Sequence, residues 1–141
     1  MRRRSRGQAL VEFALVVPII LVMAIATLDM GRVVWAMDSV SNAAREGSRL
    51  AVVSASVAGV KENVRQRVRD TAVGAAGSTG LVINVCYGKD CVGDTDTSGA
   101  TPTRGEVVTV RVRSEMVLVT TALLGQRNFP VTGSSTMVVS N

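Results

Sequence analysis

Apolar residues run almost without a break from Ala9 to Leu28, and Glu12 is the only charge among them. From Gln8 to Leu28 is about 21 residues, roughly 31 Å of α-helix, which matches a hydrocarbon core of roughly 30 Å. The pattern then changes without a proline to stop the helix. Ala36, Val40, Ala43, Ala44, Gly47, Leu50 and Ala51 recur at helical spacing as far as about Val57. The pattern therefore predicts one helix over 8–57, on the order of 75 Å long, the first part apolar all round and the second amphipathic. Val57, Val60, Val64 and Val68 form a further stripe, with Lys61, Glu62, Arg65, Arg67 and Arg69 mostly on other faces. This predicts a second helix over about 60–73, its basic side read as a solvated face.

Gly74 to Gly80 is a glycine-rich turn that lacks the lysine and Ser/Thr placement of a phosphate-binding loop. Beyond it the period changes from helical to twofold. Leu81–Tyr87 reads as a strand. Val108, Val110 and Val112 alternate with Thr109, Arg111 and Arg113, which predicts a half-buried strand over about 106–114. Val117–Leu124 reads as a short helical turn ending at Gly125. Phe129–Ser140 reads as a last strand with a break near Gly133. The fold class is thus α+β, a long N-terminal helix laid on a small antiparallel sheet. The expected divisions are a leader at 1–7, the membrane-and-stalk helix at 8–57 and a small domain at 58–141.

Charge fixes the expected topology. Arg2, Arg3, Arg4 and Arg6 precede the apolar span, whereas Arg32 behind it is offset by Asp29 and Asp38. The positive-inside rule places the N-terminus in the cytoplasm and everything after Leu28 outside. The net charge of +5 is mostly this topology signal: without the four leader arginines, 12 basic residues face 11 acidic ones. No basic patch is interleaved with aromatics, which argues against nucleic-acid binding. Ala24-Ile25-Ala26 has the small-x-small form of a signal peptidase site. Cleavage there is the rival reading, opposed by Glu12 inside what would be the apolar region of a signal peptide.

Glu12 is costly in lipid, though less so near the membrane surface, and such residues are functional by default. It lies four residues after Gln8 and shares a helix face with it. A cut after Gly7 would leave an α-amino cation on Gln8, and a neighbouring molecule could present that cation to Glu12. Pro18 removes one backbone hydrogen bond within the span and usually bends a helix.

These residues carry a family resemblance. A basic leader, Gly7, then Glu12 and Phe13 at the fifth and sixth positions, resembles the prepilin-peptidase site of type IV pilins. Glu12-Phe13-Ala14-Leu15-Val16-Val17-Pro18, then Asp29-Met30-Gly31-Arg32, then Ser41 to Arg49 resembles the TadE-like pseudopilins of the tight-adherence (Tad/Flp) pilus. The resemblance covers about residues 7–55. It implies a pilin-like fold, cleavage between Gly7 and Gln8 by prepilin peptidase, and a place in pilus assembly and adhesion. Glu12 and Phe13 would then serve assembly. The implied partners are other pilin or pseudopilin subunits, the inner-membrane assembly platform and the bilayer.

Ala43, Gly47 and Ala51 form a small-residue stripe that lets helices approach closely. It suits a seam between subunits and equally a contact with the chain's own domain. Cys86 and Cys91 sit in a polar loop. Outside the membrane such a pair is expected to be oxidised, and so short a loop stabilises by about 2 kcal/mol. Zinc is disfavoured because the chain has no histidine and no third cysteine. Asp94-Thr95-Asp96-Thr97-Ser98-Gly99 resembles the opening of a calcium loop, but Glu106 comes one residue late for it, so it reads as a solvated loop. No cofactor is expected. With no histidine and no paired catalytic groups, an enzyme is not expected either. The alternative function is a membrane-anchored extracytoplasmic binding module that never enters a fibre and needs neither the cut nor Glu12.

Overall fold

Arg4–Val53 form a single helix, α1, of 50 residues. It continues through Pro18 and ends four residues short of the expected end at Val57. At about 1.5 Å per residue it is roughly 75 Å long. The computed structural model describes residues 4–55, 59–73, 80–88, 91, 104–123, 125 and 128–140. Val57, most of the glycine-rich turn and the Asp94–Gly99 loop lie outside them.

The helix has two environments. Up to Leu28 its described side chains are exposed or nearly so, because no other element reaches alongside most of it. From Asp29 onward one face is buried: Val33, Ala36, Val40, Ala43, Ala44 and Ala51 are core residues. That face packs on a sheet of three antiparallel strands in the order β1-β2-β3, made of Val82–Tyr87, Val107–Met116 and Phe129–Val138. The second helix, α2 (Val60–Thr71), follows Gly59, whose φ of 80° is a left-handed conformation that suits glycine. α2 buries Val60, Val64 and Val68 against α1 and β1. Arg67 closes the outside of this contact with an ion pair to Glu46 on α1 at 2.9 Å. A short helix, α3 (Val119–Leu123), joins β2 to β3.

The strand register explains where α1 lies. Ile83, Val112 and Gly133 stand in one inward row, and Val85, Val110 and Ser135 in the next. Side-chain size falls toward β3 along both rows, and α1 sits over that low side. The expected break at Gly133 does not occur: β3 is continuous through it. The glycine is required by the helix instead. A Cβ at Gly133 would stand 2.8 Å from the backbone of Val40 and Ser41. Two turns further along α1, the buried Ser48 hydroxyl shares a 2.7 Å hydrogen bond with Ser135. Valine supplies most of the larger core side chains in a chain with few aromatics. Val40, Val64, Val68, Val85, Val108, Val110, Val112 and Val131 are fully buried, and each such side chain stabilises by about 1.5–3 kcal/mol.

Cys86 and Cys91 are joined by a disulfide, with Cα atoms 5.6 Å apart. It ties Cys91 to the end of β1. The neighbouring Tyr87 is buried with its ring 5.5 Å from the Lys61 ammonium of α2, a cation–π contact between the helix and the sheet.

Candidate functional site

Two regions bear on function: the exposed start of α1, and the point where α1 meets the domain.

Gly7, Gln8, Glu12 and Phe13 all lie on the exposed part of α1. A side chain at Gly7 would meet nothing within 4 Å. The peptide between Gly7 and Gln8 is already helical, because α1 starts at Arg4. A peptidase cutting there would have to unwind that turn. Glycine eases this, being about 1 kcal/mol poorer than alanine as a helix former. Leu10, Phe13, Leu15, Ile19, Leu21 and Met23 are all more than half exposed, a concentration of bare apolar surface that water does not tolerate on a folded domain. Among the described residues α1 is the one helix long and apolar enough to cross a membrane.

The small-residue stripe is not on this free surface. Ala43, Gly47 and Ala51 are buried within the chain's own domain. A Cβ at Gly47 would come 2.5 Å from Val68 Cγ2 and 3.3 Å from Val110 Cγ1. Of the two readings the stripe allowed, it fills the intramolecular one, where α1 crosses α2 and β2.

The junction was not visible in the sequence as a site. Asp29, the first residue after the apolar run, is buried. Its Oδ2 accepts hydrogen bonds from the Thr120 backbone N–H at 2.7 Å and from the Thr120 hydroxyl at 2.8 Å. Its Oδ1 accepts a longer one from Arg32 at 3.4 Å. One carboxylate thus ties α3 to α1 across 91 residues of sequence. The one signal available was an acid directly behind an apolar span, which reads equally well as a topology charge. The Thr120 N–H is the main cause that holds the Asp29 carboxyl below the usual aspartate range, with the Thr120 hydroxyl and Arg32 adding to it against the opposing effect of burial.

A depressed pKa means that the tie stabilises fully above the unfolded value, near pH 4, and is lost as pH falls through the folded one. Asp29→Asn is expected to loosen α3 while leaving the sheet intact. Hydrogen exchange of the Thr120 amide in the detergent-solubilised chain is the measurement. The variant should exchange faster than wild type at neutral pH, and the ratio should approach one as pH drops below about 4. A ratio independent of pH would assign the effect to packing rather than to the charge.

The fold and this junction define a class: a long apolar N-terminal helix, packed through its distal half on a three-stranded antiparallel sheet, is a pilin-like arrangement. Residues 7–49, most of the first helix, match the family model of the TadE-like proteins, and it is to these that this part of the chain is similar. The match takes in the Gly7–Phe13 segment, Asp29 and Arg32, and Ala43 and Gly47 of the buried stripe; α2 and the sheet lie outside it. Neither the curated proteins nor the solved structures give a match to the chain.

Proposed function

We propose that the chain is a pseudopilin of a tight-adherence pilus. Residues 8–28 hold it in the cytoplasmic membrane, with the N-terminus in the cytoplasm and the domain outside. Prepilin peptidase removes residues 1–7, and the mature subunit joins other pilins on the inner-membrane assembly platform and contributes to assembly and adhesion.

One observation carries this reading. The apolar part of α1 projects from the domain with its side chains bare, and Gly7, Gln8, Glu12 and Phe13 stand at its free end. Such a helix needs lipid around it before assembly and other helices around it afterwards. The leader arginines favour the stated orientation, and the Cys86–Cys91 bridge suits an oxidising compartment. Glu12 supplies the selective step. Cleavage creates an amine at Gln8, and the Glu12 carboxylate of a neighbouring subunit meets it in a low-dielectric setting. Desolvation offsets much of the attraction of a buried pair, so the pair sets register and admits only processed subunits.

Intact-mass measurement on protein from its native membrane tests the processing step. The expected mature chain begins at Gln8. A chain beginning at Thr27 would mean that signal peptidase cuts after Ala26, and an uncut chain would leave the anchored binding module as the better reading.

A further inference from the structure

The domain's lower edge reaches further down α1 than the end of the apolar run. An apolar groove of about 480 Å³ runs between α1 and the segments flanking α3. Val22, Ile25, Ala26 and Met30 form one wall, and Leu118 and Phe129 the other. Val22 precedes Leu28 by six residues, about 9 Å of helix. Leu118 and Phe129 therefore flank a groove that opens below the level of Leu28. The polar groups in its lining, Asp29 and Thr120, are bonded to each other, so the groove makes no demand for a polar occupant. Met30 and Phe129 of its lining and the flanking Val117 and Val119 are exposed, and so is Trp35, six residues beyond Asp29 on α1. Arg32 stands at the same level with its side chain about half exposed.

We propose that this rim embeds the domain in the outer face of the bilayer, with an acyl chain of a phospholipid in the groove and Arg32 directed to the lipid phosphate. The proposal rests on the reading of residues 8–28 as a membrane span, and the apolar rim is continuous with that span. The side chains are those expected at such a level: a tryptophan and an arginine, whose apolar bodies sit in the interface while their polar ends reach water or phosphate. The Asp29–Thr120 tie satisfies the acid that lines the groove and fixes α3 at this height. A domain held in this way has a set height and tilt on the membrane, and its lipid contacts must be broken when the subunit is drawn out.

Trp35 is the chain's single tryptophan, which makes depth measurable. The full chain is reconstituted in phosphatidylcholine–phosphatidylglycerol vesicles as wild type and as Trp35→Phe carrying Phe129→Trp, Val119→Trp or Leu21→Trp. Retained helicity and an intact Cys86–Cys91 bridge confirm folding, and two rim positions guard against one variant misfolding. The introduced indoles at positions 129 and 119 are expected to lose most of their emission to lipids brominated near the headgroup end of the acyl chain, and to be shielded from aqueous iodide. The indole at position 21 should be quenched by deeper bromines. Iodide quenching at 129 and 119, with the position-21 control still quenched by lipid, overturns the proposal and leaves the span in place. A control that no lipid quenches overturns the span and the proposal together. Shielding that grows with protein density, without quenching by brominated lipid, would assign the rim to a second copy and overturns the proposal as well.

Discussion

Glu12→Gln is expected to be cleaved after Gly7 and inserted like wild type, and then to be absent from the assembled fibre. The substitution keeps shape and removes one charge. Insertion itself should become easier, since an acid in an apolar span is unfavourable and an amide less so. The exposed position of Glu12 on the free part of α1 means that no contact inside the chain is lost. On the proposed mechanism, what is lost is the partner for the amine at Gln8 of a neighbour. Co-purification with the other pilins, alongside intact mass, separates the steps: a mature N-terminus with no co-purification is the expected pair of results. Assembly equal to wild type would reduce Glu12 to a feature of the peptidase site. Failure of cleavage would place its role one step earlier than assembly.

Gly133→Ala is expected to destabilise the domain more than any other single methyl added to it. The new Cβ would stand 2.8 Å from three backbone atoms of α1, at Val40 and Ser41. Backbone in the middle of a helix cannot rotate away as a side chain can. The helix must lift from β3, which also strains the 2.7 Å Ser48–Ser135 bond. Overpacking of this kind costs about 3 kcal/mol, at the upper end of the usual range. For a domain of this size that corresponds to a fall in Tm of more than about 10 °C. Gly47→Ala makes a useful contrast. Its closest neighbours are the ends of valine side chains, Val68 Cγ2 and Val110 Cγ1, which can give way. A smaller loss is expected there, and thermal unfolding of both variants in one detergent checks the order. A Gly133→Ala chain as stable as wild type would mean that α1 does not lie on β3.

The two variants probe the two halves of one helix, and they explain why the halves evolved such different surfaces. The distal half spends its small residues on its own domain, so Ala43, Gly47 and Ala51 have no surface left for a neighbour. Under the proposed function, contacts between subunits would then fall to the apolar half, where side chains are large and bare.

Much of this architecture could be read directly from residue order. An apolar run of membrane length, the valine stripe of α2 and the strict alternation of β2 are local periodicities, and burial of one face follows from them whatever lies opposite. The two cysteines five apart needed only an oxidising side to pair. Three features could not be read in this way. The Ala43-Gly47-Ala51 stripe suited a neighbour as well as the chain's own sheet, because small residues state how closely something approaches and not what approaches. Gly133 looked like a break in a strand, because a missing side chain shows nothing of the helix that needs its space. Asp29 looked like a topology charge, because its partner Thr120 lies 91 residues away. Local pattern determined which faces turn inward. Only the tertiary structure decided what covers each face, since that depends on contacts between segments far apart in the chain.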